Sequence, residues 1–219
     1  LTQRDGSFLV GREPEPDFKW EDLRGKTVIG GRKGGVPLMT LEYVLKNHGL
    51  VPGQDLEVLT NIQFDLMAGA FTGGTGDYTT LFEPVASLLE REGAGYIVAS
   101  VGAASGEVAF TAYMAKKSYI EKNKDLIQRF TNSIYKGQQF VKEHSPEEIA
   151  KVIKPAFPDS DEELLSIVVK RYKDQGTWTY TPDPREEAFD RLQEIMEMAG
   201  ELDNRAPFDK ITIEEIAEK

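Results

Sequence analysis

Residues 27–47, TVIGGRKGGVPLMTLEYVLKN, decide how the chain is read. Thr27-Val28-Ile29 is a short apolar strand. Gly30 to Gly35 is a glycine-rich loop that carries Arg32 and Lys33. A helix follows to about Asn47. Pro37 suits a first helical turn, Leu38, Leu41, Val44 and Leu45 recur at helical spacing, and Gly49 ends the run. Such a loop lets backbone approach a ligand closely, and the unpaired N–H groups of a helix start attract anions. The G-K-[ST] of a phosphate loop is missing, and G-x-G-x-x-G cannot be laid on Gly30 to Gly35, so neither nucleotide motif is present. Two readings remain. Either Arg32, Gly34, Gly35, Val36 and Pro37 face a bound anion, or the segment is a strand–helix turn with solvated cations.

Working outward, the unit repeats in kind. Leu56 to Leu59 reads as a strand and Phe64 to Phe71 as a helix. Tyr78 to Phe82 is a strand, Pro84 to Glu92 a helix, and Tyr96 to Val101 a buried strand. Strands alternating with helices predict a parallel α/β sheet with right-handed crossovers, here over residues 19–105. Asp77, Phe82 and Glu83 are expected around the carboxyl end of the strand at 78–82, where open α/β sheets bind ligands. Glu83 suits equally well the acidic N-terminus of the helix that Pro84 begins, and Asp77 a tight turn.

Beyond Gly106, the stretch EVAFTAYMA (107–115) reads as the last strand, and everything after it as helix. Ser118 with Glu121 fits a capping box before a helix to about His144. Ser145 with Glu148 fits another, and Ser160 with Glu163 opens a third helix that ends near Gly176. A fourth begins at Asp183-Pro184 and ends at Gly200. The apolar faces of these helices, among them Ile127, Phe130 and Ile134, need a surface to pack on. The run at Ser7 to Val10 is a strand with no local partner. It is assigned, with the connector to residue 18, to the same lobe as residues 106–219, a different lobe from residues 19–105.

The 219 residues carry 26 Lys+Arg against 37 Asp+Glu, a net charge of −11, which argues against a general nucleic-acid binder. It leaves room for a local anion site, because helix ends act at short range. Residues 184–219 are especially acidic and read as a solubilising tail. There is no cysteine, so disulfides, thiolate catalysis and Cys-based zinc sites are excluded. His48 and His144 each end a helix, where a cation is favoured, and neither has a nucleophile near it in sequence. No metal or cofactor is called for. No run approaches the roughly 18 apolar residues of a membrane span.

The stretch DLRGKTVIGGRKGGVPLMTLEYVLKNHGLVPGQDLEVL resembles the opening of the second lobe of ABC-importer substrate-binding proteins. The subgroup is the one for nitrate, alkanesulfonate, taurine and thiamine-pyrimidine compounds. GDYTTLFEPVASLLEREG, FTAYMAKKSYIEKNKDLIQRF and EEAFDRLQEIMEMAGEL are similar to three further segments of that family, so the resemblance covers about residues 7–205. It implies a type II periplasmic-binding fold: two α/β lobes joined by crossovers near Arg12 to Phe18 and Val101 to Phe110, closing on a solute. It also implies no covalent chemistry, an extracytoplasmic site of action (in the periplasm or lipid-anchored outside the cell membrane), and a membrane permease as partner. The solute is expected to be small and either anionic or heterocyclic. The family's opening strand–helix series is not found within residues 1–219, so one complete lobe and a mostly helical remainder of the other are expected. Self-association would then hide the uncovered helix faces. A ligand-sensing domain and a pyrimidine-synthesising enzyme on a related fold are the competing readings.

Overall fold

A computed structural model describes residues 1–213 and Ile216. The end of the acidic tail read over 184–219 therefore lies partly outside the described residues. The chain forms two compact units. One holds Asp5–Gly106 with Glu194–Asp203. The other holds Leu1–Arg4, Glu107–Gln193 and the described residues from Asn204 onward.

The first unit is built on a five-stranded sheet. Its elements are β1 (Ser7–Gly11), β2 (Thr27–Ile29), α1 (Val36–Asn47), β3 (Glu57–Leu59), α2 (Met67–Thr72), β4 (Tyr78–Phe82), α3 (Val85–Arg91), β5 (Tyr96–Ser100) and α4 (Val101–Ser105). The strand order is β3-β2-β4-β1-β5. Strand β2 runs parallel to β3 and β4, while β1 lies antiparallel between β4 and β5. The assignment of Ser7 to Val10 to the other lobe is therefore corrected. All five residues of β1 are buried, as expected for an interior strand, and its partners lie some 70 to 90 residues away, Phe8 opposite Leu81 and Ser100. The chain passes between the units at Arg4/Asp5, Gly106/Glu107, Gln193/Glu194 and Asp203/Asn204.

Leu9, Leu23, Val28, Leu41, Leu45, Leu50 and Val101 form the centre of this unit's core, closed at the side by Trp20 and Tyr78. Arg12 fastens the segment after α2. Its guanidinium donates to the carbonyls of Phe71 (3.0 Å), Thr75 (3.0 Å) and Gly76 (2.6 and 3.0 Å) and lies 4.3 Å from the centroid of the Phe71 ring. Of these, only Phe71 lies in α2, and its carbonyl also accepts from the Gly74 N–H at 2.9 Å. The returning segment Glu194–Asp203 also belongs here: Lys46 Nζ donates to the Met198 carbonyl at 2.7 Å.

The second unit is helical: α5 (Lys117–Lys122), α6 (Lys124–Glu143), α7 (Pro146–Ile153), α8 (Glu162–Gln175), α9 (Glu186–Met198, its last turns assigned to the sheet unit) and α10 (Phe208–Ile211). Residues 107–115 do not form the expected strand. They make single backbone bonds to Thr2, Gln3 and Ala188 and one isolated bridge, with no ladder to join. The helix expected from Ser118 is broken at Asn123, whose backbone leaves the helical region and separates α5 from α6. The capping box at Ser145 and Glu148 is present with both bonds. The cap of α8 is Asp161, which accepts from the Leu164 N–H at 2.7 Å, one residue past the expected Ser160. Helices α7 and α8 pack through Ile149, Ala150, Leu164, Leu165 and Val168. By contrast Met114 is 91% exposed and Phe130 41%. Among the described residues no helix is long and apolar enough to cross a membrane.

Candidate functional site

The carboxyl ends of parallel β2, β3 and β4 lie along one edge of the sheet, where a cleft of about 650 Å³ opens. Its size is within the range of small-molecule sites. The segment after β2 brings Gly30, Gly31 and Arg32, and the start of α1 brings Gly35, Pro37 and Leu38. The segment after β3 brings Thr60 to Phe64 and then Met67. Thr80 and Phe82 on β4 complete the lining.

Two glycines make this geometry possible. A Cβ on Gly30 would fall 2.6 Å from Val58 Cγ1 and 2.9 Å from Leu38 Cδ1, so α1 closes on the sheet only over a glycine. Gly31 has φ +92°, a backbone conformation that side-chain-bearing residues rarely adopt. Gly35 is the N-cap of α1 and has no side chain to bond the first turn. The N–H groups of Val36 and Leu38 therefore lack helical partners, and Pro37 has none to give.

The electrostatics follow from the lining. Arg32 is its one charged residue, and it contains no carboxylate and no histidine. Among the described residues, the side chains of Arg32, Thr60, Asn61 and Gln63 make no hydrogen bond or ion pair, so their polar groups are available to a ligand. The apolar part of the surface is Pro37, Leu38, Ile62, Phe64, Met67 and Phe82. A second depression, of about 570 Å³, is lined by Lys26 with Glu42, Asp55 and Glu57, the opposite charge balance.

Of the residues expected from sequence, Arg32, Gly35, Pro37 and Phe82 meet in the cleft. Gly34 and Val36 are their neighbours in the chain. Gly34 faces away from the lining, with a Cβ position 3.7 Å from a carboxylate oxygen of Glu201. Asp77 is corrected: it precedes the first residue of β4, at the amino end of the strand. There its carboxylate accepts the Thr27 N–H at 2.8 Å, and its own N–H bonds the Thr27 carbonyl at 2.8 Å. Glu83 turns its carboxylate to Ser87, accepting from the N–H (2.9 Å) and the hydroxyl (2.7 Å), the helix-start role. Neither acid lines the cleft. His48 bonds Glu21 and packs near Trp20, and His144 stacks on Phe140; neither is in the lining. Sequence reasoning missed Thr60-Asn61-Ile62-Gln63-Phe64. The available signal was a polar run directly after a parallel strand, the position at which such sheets bind ligands.

Parallel strand ends, a glycine loop, a helix start and a cation-bearing cleft thus meet in one α/β unit. The chain belongs to the NMT1/THI5-like family, whose model matches residues 12–149. It is 48% identical over 221 residues to YtlA of Bacillus subtilis (strain 168), whose name describes a binding protein. The match takes in 100% of this chain and 66% of YtlA, so the chain spans just under two thirds of that relative. Solved structures share the fold. The ligand-binding component of an ABC-type import system from Staphylococcus aureus has a TM-score of 0.71 at 13% identity, covering 99% of this chain and 71% of that one. The aliphatic sulphonate binding protein SsuA from Escherichia coli has 0.70 at 19%, covering 91% and 65%. A point mutant of DszB, a desulfurization enzyme, has 0.68 at 12%, covering 99% and 76%. The fold is thus the periplasmic-binding-protein-like α/β fold expected from the sequence.

Proposed function

We propose that the chain is the solute-contacting part of an extracytoplasmic binding component of an ABC importer, and that its cleft takes a small organic anion for delivery to a membrane permease. The observation that carries the reading is the charge of the cleft. In a chain with a net charge of −11, the lining holds the Arg32 guanidinium and no acid. An anion there is met by a cation, amide and hydroxyl donors, and the start of a helix 12 residues long. Membership in the NMT1/THI5-like family and the likeness to importer components support the transport setting.

The fold likeness to DszB favours a second reading, an enzyme on this fold. Against it stands the lining itself, which offers no histidine, carboxylate or cysteine to act as base or nucleophile. The test is a thermal-shift and calorimetry screen of the chain with sulfonates, carboxylates, nitrate and pyrimidines. A bound anion at 100 times its Kd stabilises by about 2.7 kcal/mol. Replacing Arg32 by Ala should remove that gain. Equal stabilisation of the Arg32→Ala protein, or binding confined to neutral or cationic compounds, refutes the anion reading.

A further inference from the structure

The cleft joins two kinds of surface, and the second is larger than an inorganic anion needs. Phe64 opens a 3-10 turn (Phe64–Leu66) directly after the polar run that follows β3, and it stays 62% exposed although it lines a concave site. Its ring centroid is 5.5 Å from that of Phe82, at an interplanar angle of 52°. Tilted in this way, the two rings make an open corner rather than a closed stack, and among the described residues the solvent side of Phe64 has no partner ring. Pro37, Leu38 and Met67 extend the corner as apolar wall. The polar side chains available to a ligand, Arg32, Asn61 and Gln63, belong to the same lining. A bare anion engages only that polar group and leaves the aromatic corner wet.

We infer that the cleft selects anions that carry a planar ring, an aryl or heteroaryl sulfonate or carboxylate, and that Phe64 is the residue that reads the ring. This rests on the anion reading of the same cleft. A ring seated in the corner completes an aromatic cluster and dries both phenylalanines. An aromatic pair adds to simple burial by an amount equivalent to about two- to tenfold in Kd.

The experiment pairs probes that share a headgroup, benzenesulfonate with ethanesulfonate and benzoate with propionate, titrated into the 219-residue chain and into its Phe64→Ala and Phe64→Leu forms. The exposure of Phe64 makes both forms compatible with folding, which a melting curve checks. In the unchanged protein the aryl probe of each pair should bind about tenfold tighter or more. In both variants that ratio should fall to within about threefold. Leu keeps an apolar side chain and lacks a ring, so loss of selectivity in Phe64→Leu assigns the effect to the ring. Equal binding of aryl and alkyl probes overturns the inference and leaves the anion reading standing. So does an aryl preference that survives both substitutions. Failure of all four anions to bind overturns both.

Discussion

Replacing Arg12 tests whether the sheet unit is held together where the structure says it is. Four donor contacts to three carbonyls would each contribute about 1.5–3 kcal/mol if buried. Arg12 is exposed, however, and only its bond to Phe71 is partly buried, so solvent screens most of this. A net 2–3 kcal/mol is a fair expectation for the bonds, with about 0.5–1 kcal/mol from the cation over Phe71. Arg12→Met keeps an apolar stem over the ring and removes the donors. It should therefore cost about 2 kcal/mol, and Arg12→Ala nearer 3 kcal/mol. Lysine presents a single ammonium and cannot span three carbonyls, so Arg12→Lys should recover less than half of the loss. The assay is urea unfolding followed by tryptophan fluorescence. Trp178 lies in the helical unit and Trp20 in the sheet unit, so a Trp178→Phe background confines the signal to Trp20. Losses below about 0.5 kcal/mol for Arg12→Ala, or equal stability of the Lys and Arg forms, would refute the reasoning.

Four further outcomes are expected. Gly35→Asp puts a carboxylate at the start of α1, with its Cβ 3.0 Å from the Arg32 carbonyl, and should abolish anion binding; unchanged affinity by calorimetry would remove the glycine loop from the site. Gly30→Ala meets Val58 and Leu38 below 3.0 Å and should cost about 1–3 kcal/mol in denaturant titration. The Asp5 carboxyl is pushed up to about 6 by complete burial, against the pull of its bonds from the Ser7 N–H and hydroxyl. The folded state therefore holds this proton more tightly than the unfolded chain does. Its contribution to stability falls by roughly 3 kcal/mol as pH rises from about 4 to 6 and is flat above that. Asp5→Asn should remove this slope from a pH series of melts. Finally, the exposure of Met114, Phe130 and their neighbours on the helical unit predicts self-association; a strict monomer in light scattering with no binding of a hydrophobic dye would contradict it.

The part of the site that was legible in the sequence is the part contiguous in the chain. Strand β2, its glycine loop and α1 adjoin one another, and Pro37 and the spacing of Leu38, Leu41 and Leu45 mark the helix without any tertiary information. Arg32, Gly35 and Pro37 came with them. The segment from Thr60 to Phe64 was missed although a polar run after an expected strand marks it, because its place at the cleft depends on the pairing of β3 with β2, 30 residues earlier in the chain. Asp77 was misplaced for a related reason. An acid beside a strand is equally visible at either end, and what fixes its role is its bond to Thr27, 50 residues earlier. Strand β1 shows the limit most clearly. Its buried, apolar run was recognised, but nothing within 60 residues of it says that β4 and β5 will enclose it. The residues of 107–115 erred the other way: they have the composition of a strand and no neighbouring strand to complete one.

The central place of β1 also has a cost in time. It is made before both of its partners and cannot be enclosed until Ser100 has emerged, some 90 residues later. At about 5–20 residues per second that is a wait of roughly 5–20 s. Until β4 emerges, some 70 residues on, Phe8, Leu9 and Val10 form an apolar strand with both edges unpaired, the state most prone to join another chain. Expression at lower temperature slows every encounter between such nascent strands. Soluble yield should therefore respond to growth temperature and to chaperone supply more than to the equilibrium stability of the finished fold.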